Sequence, residues 1–136
     1  MELEIYNKKV ELLQVKLSLL PQVEIPVTNY FEEGKYSREI TIPKGTTIIG
    51  KRHRTKHNNI LVKGHCLVAM DGNRFELKAP FEFISNVGCK KVISAIEDTV
   101  WKTEHLTDET DLDKLENLLI DTEYETKLKE DLLCHG

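Results

Sequence analysis

Cysteine is scarce in this 136-residue chain, and the count is odd. Cys66, Cys89 and Cys134 show no CxxC spacing, which argues against both a disulfide framework and a zinc knuckle. Cys66 falls in a strand pattern and reads as a small core residue. No apolar run approaches the roughly 20 residues that a membrane-crossing helix needs, so no membrane span is expected. The opening M-E-L-E-I-Y is acidic where a secretory leader would be basic. The expectation is a product in the cytosol or packed into an assembly. There is no G-x-S-x-G, P-loop or G-x-G-x-x-G, so the common nucleophile and nucleotide classes have no motif here. The acidic run Asp108, Glu109, Asp111, Asp113 lacks the glycine and the twelve-residue spacing of a calcium loop. It reads instead as an acidic helix start, favoured by the helix dipole.

What is present is an uneven charge. Residues 1–43 carry five basic and seven acidic side chains, residues 44–95 ten and three, and residues 96–136 four and thirteen. A basic middle beside an acidic tail permits self-association, tail of one subunit against the middle of another. Separate solvated faces explain the same pattern equally well. The basic residues concentrate in K-R-H-R-T-K-H, residues 51–57. Arg52, Arg54 and Lys56, with Lys90 and Lys91 if they share its end of the fold, are the candidates for binding an anion or a partner. No aromatic residue is interleaved there to stack on bases, and the chain is acidic overall, so nucleic acid is not expected.

Hydrophobic periodicity divides the chain into three parts. Residues 1–20 read as an amphipathic helix. Leu3, Tyr6, Val10, Leu13, Leu17 and Leu20 are spaced as a helix seam, Leu12, Val15 and Leu19 widen it, and Pro21 ends it. Leu3, Tyr6, Val10, Leu13 and Leu17 are the candidate oligomer interface. A strand over Val10–Leu19 is the competing reading. Residues 21–106 are β-rich. Residues 21–34 form a connector with strand character, where Pro26 restricts any strand to an edge. Strands follow over Tyr36–Ile42, Thr46–Lys51, Asn58–Lys63, Cys66–Met70, Arg74–Leu77, Phe81–Ser85, Val92–Ile96 and Val100–His105. Asp71-Gly72-Asn73 is the strongest turn signal. In the first of these strands Tyr36, Arg38, Ile40 and Ile42 share one face. Many short strands without alternating helices argue for an all-β sandwich or barrel. Residues 107–136 are an acidic helical tail. Thr110 to Asp113 fits a capping box, Leu112, Leu115, Leu118 and Leu119 mark a face, and Asp121 or Thr122 is placed to cap a second helix carrying Tyr124, Leu128, Leu132 and Leu133.

The order P-K-G at 43–45, His53, His57 and Gly64 resembles the first motif of the cupins, the RmlC-like double-stranded β-helix proteins. Asn86-Val87-Gly88-Cys89-Lys90-Lys91 corresponds to their second motif, P-x-G-x-x-H, with asparagine for the proline and lysine for the histidine. The strings V-T-N-Y-F-E-E-G-K-Y-S-R-E-I-T-I-P-K-G-T, G-K-R-H-R-T-K-H-N-N-I-L-V-K-G and T-D-E-T-D-L-D-K-L-E are similar to small cupin-like proteins of tailed bacteriophages, a family mostly without assigned function. The resemblance implies a mainly β fold: one cupin-like jelly roll with an N-terminal helix and C-terminal helices. It also implies a viral origin, hence host cytoplasm or virion as location, and it implies no reaction.

His53 and His57, with His105 or Glu97 as a third group, are the candidate ligands for a divalent metal. Four residues of continuous strand span about 13 Å, too far for one ion. The pair therefore works only if Arg54-Thr55-Lys56 turn and bring the rings together. Gly64 stands where the family's metal-binding glutamate would fall, Lys91 stands for a ligand histidine, and the surrounding cations oppose a metal. The expectation is thus a protein without a cofactor, with a divalent metal as the alternative. Trp101 reads as core or interface. The functional expectation is a non-enzymatic phage accessory or structural protein, a homo-oligomer working through interfaces with itself or with virion or host proteins. The alternative is a metal-dependent cupin enzyme or small-ligand binder with its site at the barrel mouth.

Overall fold

The computed structural model describes residues 8–14 and 24–135. Residues 8–14 are helical (α1). Nine strands follow: β1 Val27–Glu32, β2 Lys35–Ile42, β3 Thr47–Ile49, β4 His57–Lys63, β5 His65–Met70, β6 Asn73–Lys78, β7 Phe81–Ser85, β8 Val92–Ala95 and β9 Thr99–Leu106. Helices α2 Leu112–Leu119 and α3 Thr122–His135 close the order. The strands form two antiparallel sheets, β1-β2-β9-β4-β7 and β3-β8-β5-β6. This is a mainly β jelly roll. β1 is an edge strand, and Pro26 sits just before it, where a missing N–H costs no ladder bond.

Side-chain alternation places the core between the sheets. In β4 the residues His57, Asn59 and Leu61 are buried while Asn58 and Ile60 are less so. Ile42, Leu61, Cys66, Val68, Ile93 and Trp101 belong to one packed cluster, which puts Cys66 in the core. Asn59 is fully buried yet bonded. Its amide donates to Ser85 Oγ at 2.7 Å, and its carbonyl accepts from Trp101 Nε1 at 3.2 Å. A buried amide without those partners would be costly.

Two turns require glycine. The β5–β6 hairpin turns on Asp71 and Gly72 with φ of 51° and 80°, a two-residue loop of the primed kind. Gly64 joins β4 to β5 at φ 101°, and a Cβ there would lie 2.4 Å from the Asp98 carbonyl oxygen. No side chain fits at that position, so a carboxylate ligand is sterically excluded from it.

The tail is docked on the same chain. The Asp111 carboxylate caps α2, accepting from the backbone N–H groups of Asp113 and Lys114. Asp121 caps α3 through the Tyr124 N–H. Leu115 and Leu119, one turn apart, are buried in a cluster with Tyr36. The expected four-leucine face is narrower than the spacing suggested, because Leu112 and Leu118 are half exposed. An antiparallel bridge joins His53 to Ile120. In α1, Val10 is buried, Leu12 and Leu13 are exposed, and Glu11 accepts a hydrogen bond from the Tyr124 hydroxyl of α3 at 2.7 Å. The helix thus faces its own chain at Val10 and Glu11. Leu3, Tyr6 and Leu17 of the expected interface lie outside the described residues. No helix among the described residues is long and apolar enough to cross a membrane.

Candidate metal centre

His57 and His105 face inward because the strand alternation puts them there. β4 carries His57 at its first inward position, and β9 carries His105 in phase with buried Thr99 and Trp101. The β4–β9 register pairs Asn58 with Glu104, which sets His57 beside His105. His53 comes from the loop before β4, and the bend over residues 54–55 folds it back. That is the turn on which the histidine pair depended. The ring centroids of His53 and His57 are 4.0 Å apart, those of His57 and His105 4.9 Å, and those of His53 and His105 5.3 Å. One ring nitrogen from each lies within 4.8 Å of the other two. Glu97, the other candidate third ligand, is not part of the cluster.

Their hydrogen bonds leave nitrogens available. His57 Nδ1 is 3.1 Å from the Thr55 carbonyl oxygen, to which it donates, leaving a lone pair on Nε2. His105 Nδ1 lies 3.5 Å from Thr55 Oγ1. His53 Nδ1 is buried without a hydrogen-bond partner among the described residues. An orphaned buried nitrogen beside two more imidazoles fits a bound cation. Burial is the main reason the rings stay neutral, and their mutual repulsion and the Lys91 charge add to it. His53 is pushed down to about 2, His57 to about 3 and His105 to about 4. Neutral imidazole is the form that ligates a metal. These observations fit a divalent metal held by three nitrogens.

One group competes with that fit. Lys91, buried at the place of the second motif's histidine, lies with Nζ 3.2 Å from His57 Nε2. Burial lowers its pKa. Sequence reasoning placed Lys91 in the motif but not against His57. It also passed over Thr55, which touches two of the three rings, although a hydroxyl between two candidate ligands was a legible signal.

The basic turn meets the acidic tail of its own chain. Arg52 lies over the Tyr124 ring at 4.9 Å, and its Nε is 4.0 Å from Asp121. Arg54 Nε donates to the Ile120 carbonyl at 2.7 Å. Lys90 pairs with Glu125 at 3.0 Å, and Lys51 pairs with Glu116 at 2.8 Å. Lys56 is exposed and makes no ion pair among the described residues. The basic turn and the acidic tail thus meet within one subunit, and the tail engages three of the five candidate anion-binding side chains, Arg52, Arg54 and Lys90.

His53, His105 and Lys91 line a cavity of about 510 Å³. It lies between the sheets and under α2, with Ile40, Ile48, Ile93 and Trp101 in its walls and Leu115 and Leu119 above. That volume suits a small organic ligand.

Two antiparallel sheets closed into a jelly roll give the chain the double-stranded β-helix fold seen in cupins. Solved structures with this fold are similar to the chain over about two thirds to three quarters of its length. A cupin superfamily protein of Desulfitobacterium hafniense matches with TM-score 0.53 and 8% identity, over 69% of this chain and 87% of that one. The cupin domain of Schizosaccharomyces pombe Cnp3 matches with TM-score 0.54 and 20% identity, over 74% of each. An RmlC-like cupin family protein of Methanocaldococcus jannaschii matches with TM-score 0.52 and 14% identity, over 66% and 94%. At these identities the likeness concerns the fold. No protein-family model and no curated protein matches the sequence.

Proposed function

We propose that the chain is a metal-dependent cupin, an enzyme or small-ligand binder, whose divalent ion is held by His53, His57 and His105 at the edge of the cavity. The observation that carries this reading is the convergence of three imidazoles, His57 and His105 buried and His53 half-buried, with one nitrogen of each within 4.8 Å of the others. Three nitrogens suit a first-row metal and leave positions open for water or a ligand oxygen. Such an ion would polarise that oxygen as a Lewis acid. The chain's own groups prepare the site: the Thr55 carbonyl accepts from His57 Nδ1 and orients that ring, with Nε2 turned toward the other two. The sequence alone favoured a protein without a cofactor. The balance moves because the turn at 54–56 and His105 complete a ligand set that does not need the missing glutamate.

Metal analysis of the purified chain tests this. The expected result is near-stoichiometric divalent metal, lost in the His53→Ala, His57→Ala double variant while circular dichroism stays unchanged. A chain that arrives metal-free and takes up no zinc, iron(II), nickel or manganese sinks the reading.

A second reading, a phage accessory protein acting through interfaces, draws on the tailed-phage resemblance and on Val62 and Ile84, exposed on the neighbouring strands β4 and β7. On this reading the chain is a homo-oligomer or binds virion or host proteins. Light scattering tests it: a monomer at all concentrations, absent from purified virions, rejects it.

A further inference from the structure

The charge of the cavity is one-sided. Its formally charged lining groups are Arg38, Lys51, Lys91 and Glu116. Lys51 and Glu116 bond to each other at 2.8 Å and cancel. Arg38 and Lys91 remain, and neither makes a salt bridge among the described residues. Arg38, on β2 between buried Tyr36 and partly buried Ile40, lines the cavity and is itself exposed to solvent. Arginine is charged at every accessible pH and offers a planar fork that matches a carboxylate. Lys91 Nζ is a hydrogen-bond donor in either protonation state. The remaining walls, Ile40, Ile48, Ile93, Trp101, Leu115 and Leu119, are apolar.

We propose that the cavity takes a small organic acid with an apolar body, its carboxylate received by Arg38 with Lys91 as a second donor, and its hydrocarbon part against the two sheets and α2. This rests on the reading of the cavity as the chain's ligand site, and it names the class of ligand. A neutral ligand of the same shape would gain nothing from the Arg38 charge, and a cationic one would be repelled.

The chain has a single tryptophan, and it is in the cavity wall. Trp101 emission therefore reports occupancy directly. The full-length chain is titrated with octanoate, 1-octanol and octylamine. Octanoate should give a saturable change with an affinity about tenfold or more above that of octanol, the margin expected of a charged hydrogen-bonded pair, and octylamine should bind worst. Arg38→Met should abolish the preference for octanoate while octanol binding persists. Arg38→Gln serves as the second variant if Arg38→Met does not fold. Equal affinity for octanoate and octanol, no response to any of the three, or unchanged octanoate affinity in the folded Arg38 variant overturns the proposal. The same titration on the His53→Ala, His57→Ala chain separates it from the metal reading. An Arg38-dependent octanoate response in a metal-free chain upholds this proposal while the metal reading falls. Bound metal without an octanoate response does the reverse.

Discussion

Lys91 decides how readily the three histidines accept a cation. Its Nζ lies 3.2 Å from His57 Nε2, the nitrogen that Thr55 leaves free for a metal. An ammonium in that position repels a divalent ion, and even a neutral amine competes for the same direction. Lys91→Met should therefore raise metal affinity by about tenfold or more, given the strength of charge interactions at this range. Competition against a chromogenic chelator measures it; an unchanged affinity would show that Lys91 does not oppose the ion, and a weaker one that it helps to hold it. The same histidines set the acid response. In the folded chain they are held to about 2, 3 and 4, against about 6.5 when unfolded. Between these limits the unfolded chain binds more protons, so stability rises with pH there. The metal-free protein should be at full stability above about pH 6.5 and lose it as pH falls toward 4, by up to about 1.4 kcal/mol per pH unit for each ring. Urea midpoints across that range test it; a midpoint independent of pH would mean the rings are solvated and protonate freely.

At the scale of elements, α2 and His53 of the loop before β4 add one side to the barrel cavity. Leu115 is 2% exposed and packs with Tyr36 and Leu119 at the cavity roof. Leu115→Ala should cost about 2–5 kcal/mol, read as a lowered urea midpoint. Glu125 of α3 answers Lys90, whose side chain is only 2% exposed, and also accepts the Arg52 N–H. Glu125→Gln leaves a buried ammonium without its counter-charge, so a loss of about 3 kcal/mol is expected. The surface pair Lys51–Glu116 should matter by less than about 1 kcal/mol. Much of this architecture was legible in the sequence, since the periodicity of two from Tyr36 to His105 and the Asp71-Gly72 turn are local signals. The expected strand Thr46–Lys51 is shorter, Thr47–Ile49. Beyond it the chain leaves the sheet toward His53. The sequence named His53, His57 and the turn that would join them, but left His105 and Glu97 as alternative third groups; the β4–β9 register, which no spacing shows, sets His105 beside His57. The roof was not legible. The leucine spacing of the tail showed an apolar face, but Tyr36 lies nearly eighty positions earlier, and no local pattern names such a partner. Nor could charge counts say that Lys90 and Arg52 meet Glu125 and Tyr124 of the same chain.

Across the whole molecule, the basic middle and the acidic tail neutralise each other internally, through Lys51–Glu116, Lys90–Glu125 and Arg52–Asp121. Those contacts hold His53 in place, since the loop carrying it bridges to Ile120 and its Arg54 N–H donates to the Leu119 carbonyl at 2.7 Å. Salt should weaken the exposed pairs, so raising NaCl from about 50 mM to about 500 mM should lower the melting temperature by a few degrees. With these pairs formed inside one chain, it should leave the molecular mass in light scattering unchanged. A mass that falls with salt would place tail and mouth between subunits. Metal acts on the opposite side of this balance. An ion at His53, His57 and His105 ties the loop to β4 and β9 and binds only the folded chain. Zinc at about 100 times its dissociation constant should therefore stabilise by about 2.7 kcal/mol. For a chain of this length that is a rise in melting temperature of roughly 10 °C, reversed by a chelator. The rise should be absent in the His53→Ala, His57→Ala variant. If zinc raises the melting temperature equally in both proteins, the ion sits elsewhere, and the three rings are a packed polar cluster rather than a metal centre.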